Sequence, residues 1–163
     1  SFEQESLLIA SQPDLIYLVI NSNDDINFIK RTILYLENYL NFDKIVRNFL
    51  NDYLDEKSKS FSRSESKRLA LIFNNMLKFI HFNFPNGFRK SPGSKVVSRI
   101  RFEATAVGAA LALEENPELL KKNIDTEWAY EDLEFLNMMR SDASNSKPKV
   151  KARIEFVQNK LLG

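Results

Sequence analysis

Five cations, Arg89, Lys90, Lys95, Arg99 and Arg101, fall within thirteen residues, and Lys67 and Arg68 stand on the preceding helical stretch. They flank the start of a helix, where backbone N–H groups lack intrahelical acceptors, and such a cluster can hold a phosphate or a carboxylate. Two internal uses compete with that one. Arg99 and Glu103 stand at i and i+4 and can pair along the helix. Arg89 or Arg101 can neutralise the acidic segment 102–137.

Other chemistry is poorly provided for. The chain of 163 residues has one histidine, His81, and no cysteine, so zinc would have to be held by carboxylates that are not suitably clustered. A nucleophile–histidine–acid arrangement would have to run through His81, which sits among Phe79, Phe82 and Phe84 and reads as an ordinary helix residue. Gly87, Gly93, Gly108 and Gly163 do not form a phosphate-cradling loop, and no Gly-Lys-Ser/Thr string occurs. The acidic pairs Asp24/Asp25, Glu114/Glu115 and Glu131/Asp132 read as solvated charge at helix starts and on outer faces. The expectation is a binding or structural domain that neither catalyses nor carries a cofactor or metal by itself.

The elements that must position the cations are read from the pattern of apolar residues. Ser62-Arg63-Ser64-Glu65 has the capping-box form and opens a long helix with Leu69, Phe73, Met76 and Ile80 on one face. Pro85-Asn86-Gly87 stops it, and Pro92-Gly93 marks a turn in the loop beyond. A helix from about Val96 to Glu115 is apolar nearly all round, which places it at the centre. Gly108 costs about 1 kcal/mol against Ala there, a cost consistent with another helix packed close. Asn116-Pro117 ends it. Thr126–Met139 reads as one or two short helices around Trp128, and Pro148 opens a last helix with Val150, Ile154, Val157 and Leu161 inward. Earlier helices are expected from Gln12-Pro13-Asp14, after Ser22-Asn23-Asp24-Asp25 and from Asp43.

With few Gly and Pro residues and no convincing strand, the fold is expected to be all-α, one bundle over residues 1–163 around the Ala-rich helix. No run reaches the ~18 apolar residues of a membrane span. The absence of cysteine fits a reducing, cytoplasmic setting. Because the chain begins with Ser1, it reads as a piece of a longer protein.

Net charge is +1, but sign is segregated along the chain. Residues 57–101 hold 11 basic and 1 acidic side chains, whereas residues 102–137 hold 2 basic and 9 acidic. Such blocks either complement one another in the fold or offer a basic surface to an anionic partner.

The strings "FPNGFRKS", "SRIRFEATAVGAALAL", "SDAS" and "KARIEFVQNKLL", with "FLNDYLDEKSKSFSRSE" at residues 49–65, resemble the helical portion of ParB/sulfiredoxin-like NTPase-domain proteins. That group includes the GmrSD-type modification-dependent restriction systems of bacterial phage defence. The resemblance spans about residues 26–162 and implies a helical domain downstream of an NTPase core. That core's Asp-Gly-Gln-Gln-Arg motif is not in this sequence, nor is the His-Asn-His nuclease domain that some members append. The motif positions it marks are Phe88, Arg89, Arg101, Phe102, Glu103 and Asp142. Implied partners are the N-terminal domain of the same protein, DNA and further copies of the chain. The alternative is a structural or oligomerisation module with no affinity for nucleic acid.

Overall fold

In the computed structural model, residues 32, 34–37, 39–41, 62–140 and 146–163 are described. The helices expected near residues 12–20 and from Asp43, and most of the loop at 141–146 with Asp142, lie outside them.

The first long helix, α1 (Arg63–Asn83), begins where the capping box predicts. Ser62 is extended and its Oγ accepts from Glu65 N at 3.2 Å, satisfying one of the first-turn donors. The inward stripe Leu69, Phe73, Met76 and Ile80 is buried throughout. The helix ends at Phe84, whose ring meets Phe79 and Trp128 edge-on.

The central helix, α2 (Arg99–Glu115), starts three residues later than the apolar pattern predicts. Val97 is held in an isolated antiparallel bridge with Arg89, and Lys90 N donates to Val96 O at 2.8 Å. Those extended residues cannot also be helical. Ser98 then caps α2 through a 3.4 Å hydrogen bond from Arg101 N. Every residue from Arg101 to Ala110 is buried, including Ala106 and Val107 at 0 % exposure. Small side chains on all sides let α2 pack against both α1 and the last helix, α5 (Lys147–Leu162). The closest approach is at Gly108, where an added Cβ would lie 2.6 Å from Val157 Cβ and 2.8 Å from Ile154 O.

Asn116 ends α2 and caps a 3-10 turn, Pro117–Lys121. Two short helices come next, α3 (Trp128–Glu131) and α4 (Leu133–Met138), with Asp132 capping the second through bonds from Glu134 N and Phe135 N. In α5 the predicted face of Val150, Ile154, Val157 and Leu161 is buried. Trp128, Phe135 and Phe156 close one end of the core, with Phe135 stacked on Phe156 at 5.3 Å. Tyr35 and Leu34 are also in the core, and the 3-10 segment Tyr39–Asn41 packs on α5. The described residues form an all-α bundle with no sheet. No described helix is long and apolar enough to cross a membrane.

A candidate anion-binding cleft at the start of α2

The segment between α1 and α2 is a short hairpin-like loop. Gly87 N donates to Phe84 O, and Ser94 N donates to Ser91 O around Pro92-Gly93. Gly93 has φ +76, as the third position of a type II turn requires. Tyr130 on α3 donates its hydroxyl to Arg89 O at 2.7 Å, pinning the loop to the far side of the bundle. Phe88 anchors the base of the loop by burying its ring against Phe102 of α2 at 4.6 Å. Both phenylalanines therefore pack the turn, and the cations Arg89, Lys90, Lys95 and Arg99 between them face water.

The seven candidate cations divide into three groups. Arg68 does not stand free: its guanidinium donates to Glu37 and lies 3.6 Å from Glu114. Glu114 belongs to the C-terminal turn of α2, so Lys67 and Arg68 lie about 22 Å of helical rise from Arg99. They cannot share a ligand with the loop cations. Arg89, Lys90, Lys95 and Arg99 are exposed, and no carboxylate among the described residues pairs with them.

Arg101 behaves differently from its neighbours. Only 3 % exposed, it donates from Nη1 to Ala129 O and lies over the rings of Tyr130 at 4.3 Å and Phe135 at 5.4 Å. Burial lowers its pKa from the ordinary arginine value, and the facing Tyr130 partly opposes that shift. Its acidic-segment role is thus carried by a carbonyl and two rings and involves no carboxylate. Burial likewise raises the Tyr130 hydroxyl above its usual value, against the pull of Arg101 and Arg89.

Glu103 does not pair with Arg99 along the helix. It turns inward to Arg153 of α5, Oε2 to Nη2 at 3.8 Å, and both side chains are almost fully buried. The two positions share a helix face, but Arg99 stands on the exposed first turn of α2, whereas Glu103 lies one turn further in, where α5 covers it.

Lys90, Ser98, Arg99 and Arg101 line one side of a cleft of about 740 Å³, and Arg140 just beyond α4 lines the other. Ile100, Leu136 and Met139 supply its apolar wall. Arg89 and Lys95 flank it on the loop without lining it. Arg140 is not apparent from the sequence pattern because it lies 39 positions after Arg101. The available signal was its place as the first cation after the acidic segment 102–137. The volume lies within the range of small-molecule sites. Four cations on one cleft, with the first-turn N–H groups of α2 at its edge, suit an anion carrying more than one charge.

His81 is exposed on α1, and no group of three or more His, Cys, Asp or Glu among the described residues is arranged to hold a metal. A second cleft of about 410 Å³ lies between Phe82, Pro85 and Pro92 on one side and Asp125, Glu127 and Glu131 on the other. Its polar groups are used by the fold: Asn83 Oδ1 accepts from Ile124 N, and Thr126 donates to Asn83 O.

Comparison with known proteins adds no relative: no family model, curated protein or solved structure matches the chain.

Proposed function

We propose that the chain is the helical support domain of a ParB-like NTPase in a bacterial DNA restriction or phage-defence system, and that the α2 start contacts DNA phosphates. The reading combines the resemblance carried by "FPNGFRKS" and "SRIRFEATAVGAALAL" with one structural observation. Lys90, Arg99 and Arg140 converge on a single cleft without a carboxylate partner among the described residues, beside the equally unpaired Arg89 and Lys95. Cations left unpaired at a helix N-terminus favour an external anion. In this role α2 is the rigid post, the loop 88–98 presents the charges, and the domain supports an NTPase core on the same polypeptide in the cytoplasm.

Binding of duplex and single-stranded DNA as a function of salt tests the reading. Phosphate contacts predict a log–log slope of about −0.9 per contacted phosphate on duplex DNA. Reversing Arg99 to Glu should weaken binding and flatten that slope while the helical signal is kept. A chain that ignores DNA at low salt would rule out the phosphate contact.

A second reading is a structural or oligomerisation module, and the exposed apolar side chains favour it. Leu71, Phe82 and Leu133 are 61, 83 and 76 % exposed. Concentration-dependent mass in solution, unchanged by charge reversal in the cleft and lowered by Leu71→Ser with Phe82→Ser, would support that reading.

A further inference from the structure

The cleft also carries information about the form of its anion. We infer that it takes the terminal phosphate monoester of a nucleic-acid strand, a refinement that rests on the DNA-contact reading.

The charges gather on one cleft, whereas contacts to a passing duplex would be strung along a longer face. Lys90, Arg99 and Arg140 line the same open cleft, with the buried Arg101 in its wall. The Arg101 guanidinium is held by Ala129 O and the rings of Tyr130 and Phe135, so the accessible charges of the cleft are those of Lys90, Arg99 and Arg140. A duplex backbone presents monoanionic diesters, each flanked by sugars on both sides. A strand end presents a phosphate carrying about two negative charges near neutral pH, with one side free to enter a cleft. The unpaired cations match that dianion better than a diester.

The remaining walls limit the groups that can adjoin the phosphate. Ile100, Leu136 and Met139 offer an apolar surface of the kind a sugar can lie against. Among the described residues no aromatic ring lines the cleft: the nearby rings of Tyr130 and Phe135 are already covered by Arg101. Base stacking, the usual source of single-strand affinity, is therefore not supplied here. The site should recognise the end of a strand and be indifferent to its sequence.

Fluorescence anisotropy on the 163-residue chain separates the possibilities, using one short single strand with either a 5′-phosphate or a 5′-hydroxyl and its label at the 3′ end. The phosphorylated strand should bind about tenfold more tightly, the scale of charge-assisted contacts to one extra ionised group. Arg99→Glu and Arg140→Glu should each abolish that ratio. Lys95→Glu, which lies outside the cleft, should weaken both strands alike and leave the ratio intact. Circular dichroism of each variant checks folding, and all three positions are exposed. Equal affinity for the two strands would overturn the strand-end inference and leave the DNA-contact reading standing, whereas no binding of either would remove both. Equal competition by inorganic phosphate and by AMP, or tighter binding of a phosphoserine peptide, would also overturn it by assigning the cleft to another phosphate source.

Discussion

The guanidinium carbon of Arg101 lies 4.3 Å from the ring centroid of Tyr130, and the hydroxyl of that tyrosine donates to the carbonyl of Arg89. One aromatic side chain thus stabilises an internal cation with its face and fixes the loop that bears the external ones with its tip. The buried and exposed arginines of the basic segment are coupled through it.

Removing the tip should differ from removing the ring. Tyr130→Phe keeps the surface over Arg101 and loses one hydrogen bond, about 1 kcal/mol of stability. Tyr130→Ala should cost about 3 kcal/mol, since it also uncovers a desolvated guanidinium. Arg101→Ala should fall in the same range, leaving Ala129 O without its donor. Urea unfolding checks all three. The same titration should leave Arg99→Ala within about 0.5 kcal/mol of the parent, as an exposed site without a partner requires. A large loss there would mean that Arg99 is structural.

Gly108 sits where α2 and α5 come closest. Alanine would recover about 1 kcal/mol of helix propensity. Its Cβ would nevertheless meet Val157 Cγ1 at 2.7 Å and the backbone oxygen of Ile154 at 2.8 Å. The second neighbour cannot rotate away, so the helices must separate, and overpacking of this kind costs about 1–3 kcal/mol. Net destabilisation is expected for Gly108→Ala. Adding Val157→Ala should recover little, because the clash with Ile154 O remains. Thermal unfolding of the single and double variants measures both.

Element starts were legible because capping is local. Ser62 and Glu65, Asn116 and Pro117, and the proline at position 148 each mark a terminus that the structure places within a residue or two. The uninterrupted apolar run marked α2 as central for a similar reason: a helix without a polar face has nowhere else to go. The fate of individual charges was not legible. Arg99 and Arg101 are two positions apart, which on a helix turns them by about 200°, and only the surroundings decide which side is solvent. Glu103 met Arg153, and Arg68 met Glu37, across gaps of 50 and 31 positions that helical spacing does not address. Arg140 joined the cleft for the same long-range reason.

Asp132 predicts a specific acid response. Its carboxylate accepts from Lys160, Phe135 N and Glu134 N, and the hydrogen bond from Lys160 is the largest cause holding its pKa below the usual 3.8. A depressed folded-state pKa gives stability that is fully present above the ordinary value and lost as pH falls through the depressed one. Asp132→Asn retains a good cap for α4 and gives up the ionic contact to Lys160. The variant should therefore be less stable than the parent at pH 7, and the gap should close as pH drops below 3.8. Stability curves of the two proteins that stay parallel through that window would show that the charge contributes nothing.

The buried pair of Glu103 and Arg153 gives the sharpest test of the central packing. Their side chains are 3 and 1 % exposed, and the pair joins the middle of the α2–α5 interface. Taking two charges out of water is costly, so the bridge need not be a net gain over two apolar residues. Losing one partner is another matter, because the other charge stays in the interior with that ionic contact gone. Glu103→Met alone and Arg153→Met alone should each cost about 3–5 kcal/mol. The double variant should be far more stable than the summed losses imply, near the parent, because methionine can fill irregular space on both helices. A double-mutant cycle in urea measures that non-additivity. Additive losses would mean that water reaches the two side chains separately, and the α2–α5 contact would then have to be looser than the Gly108–Val157 approach requires.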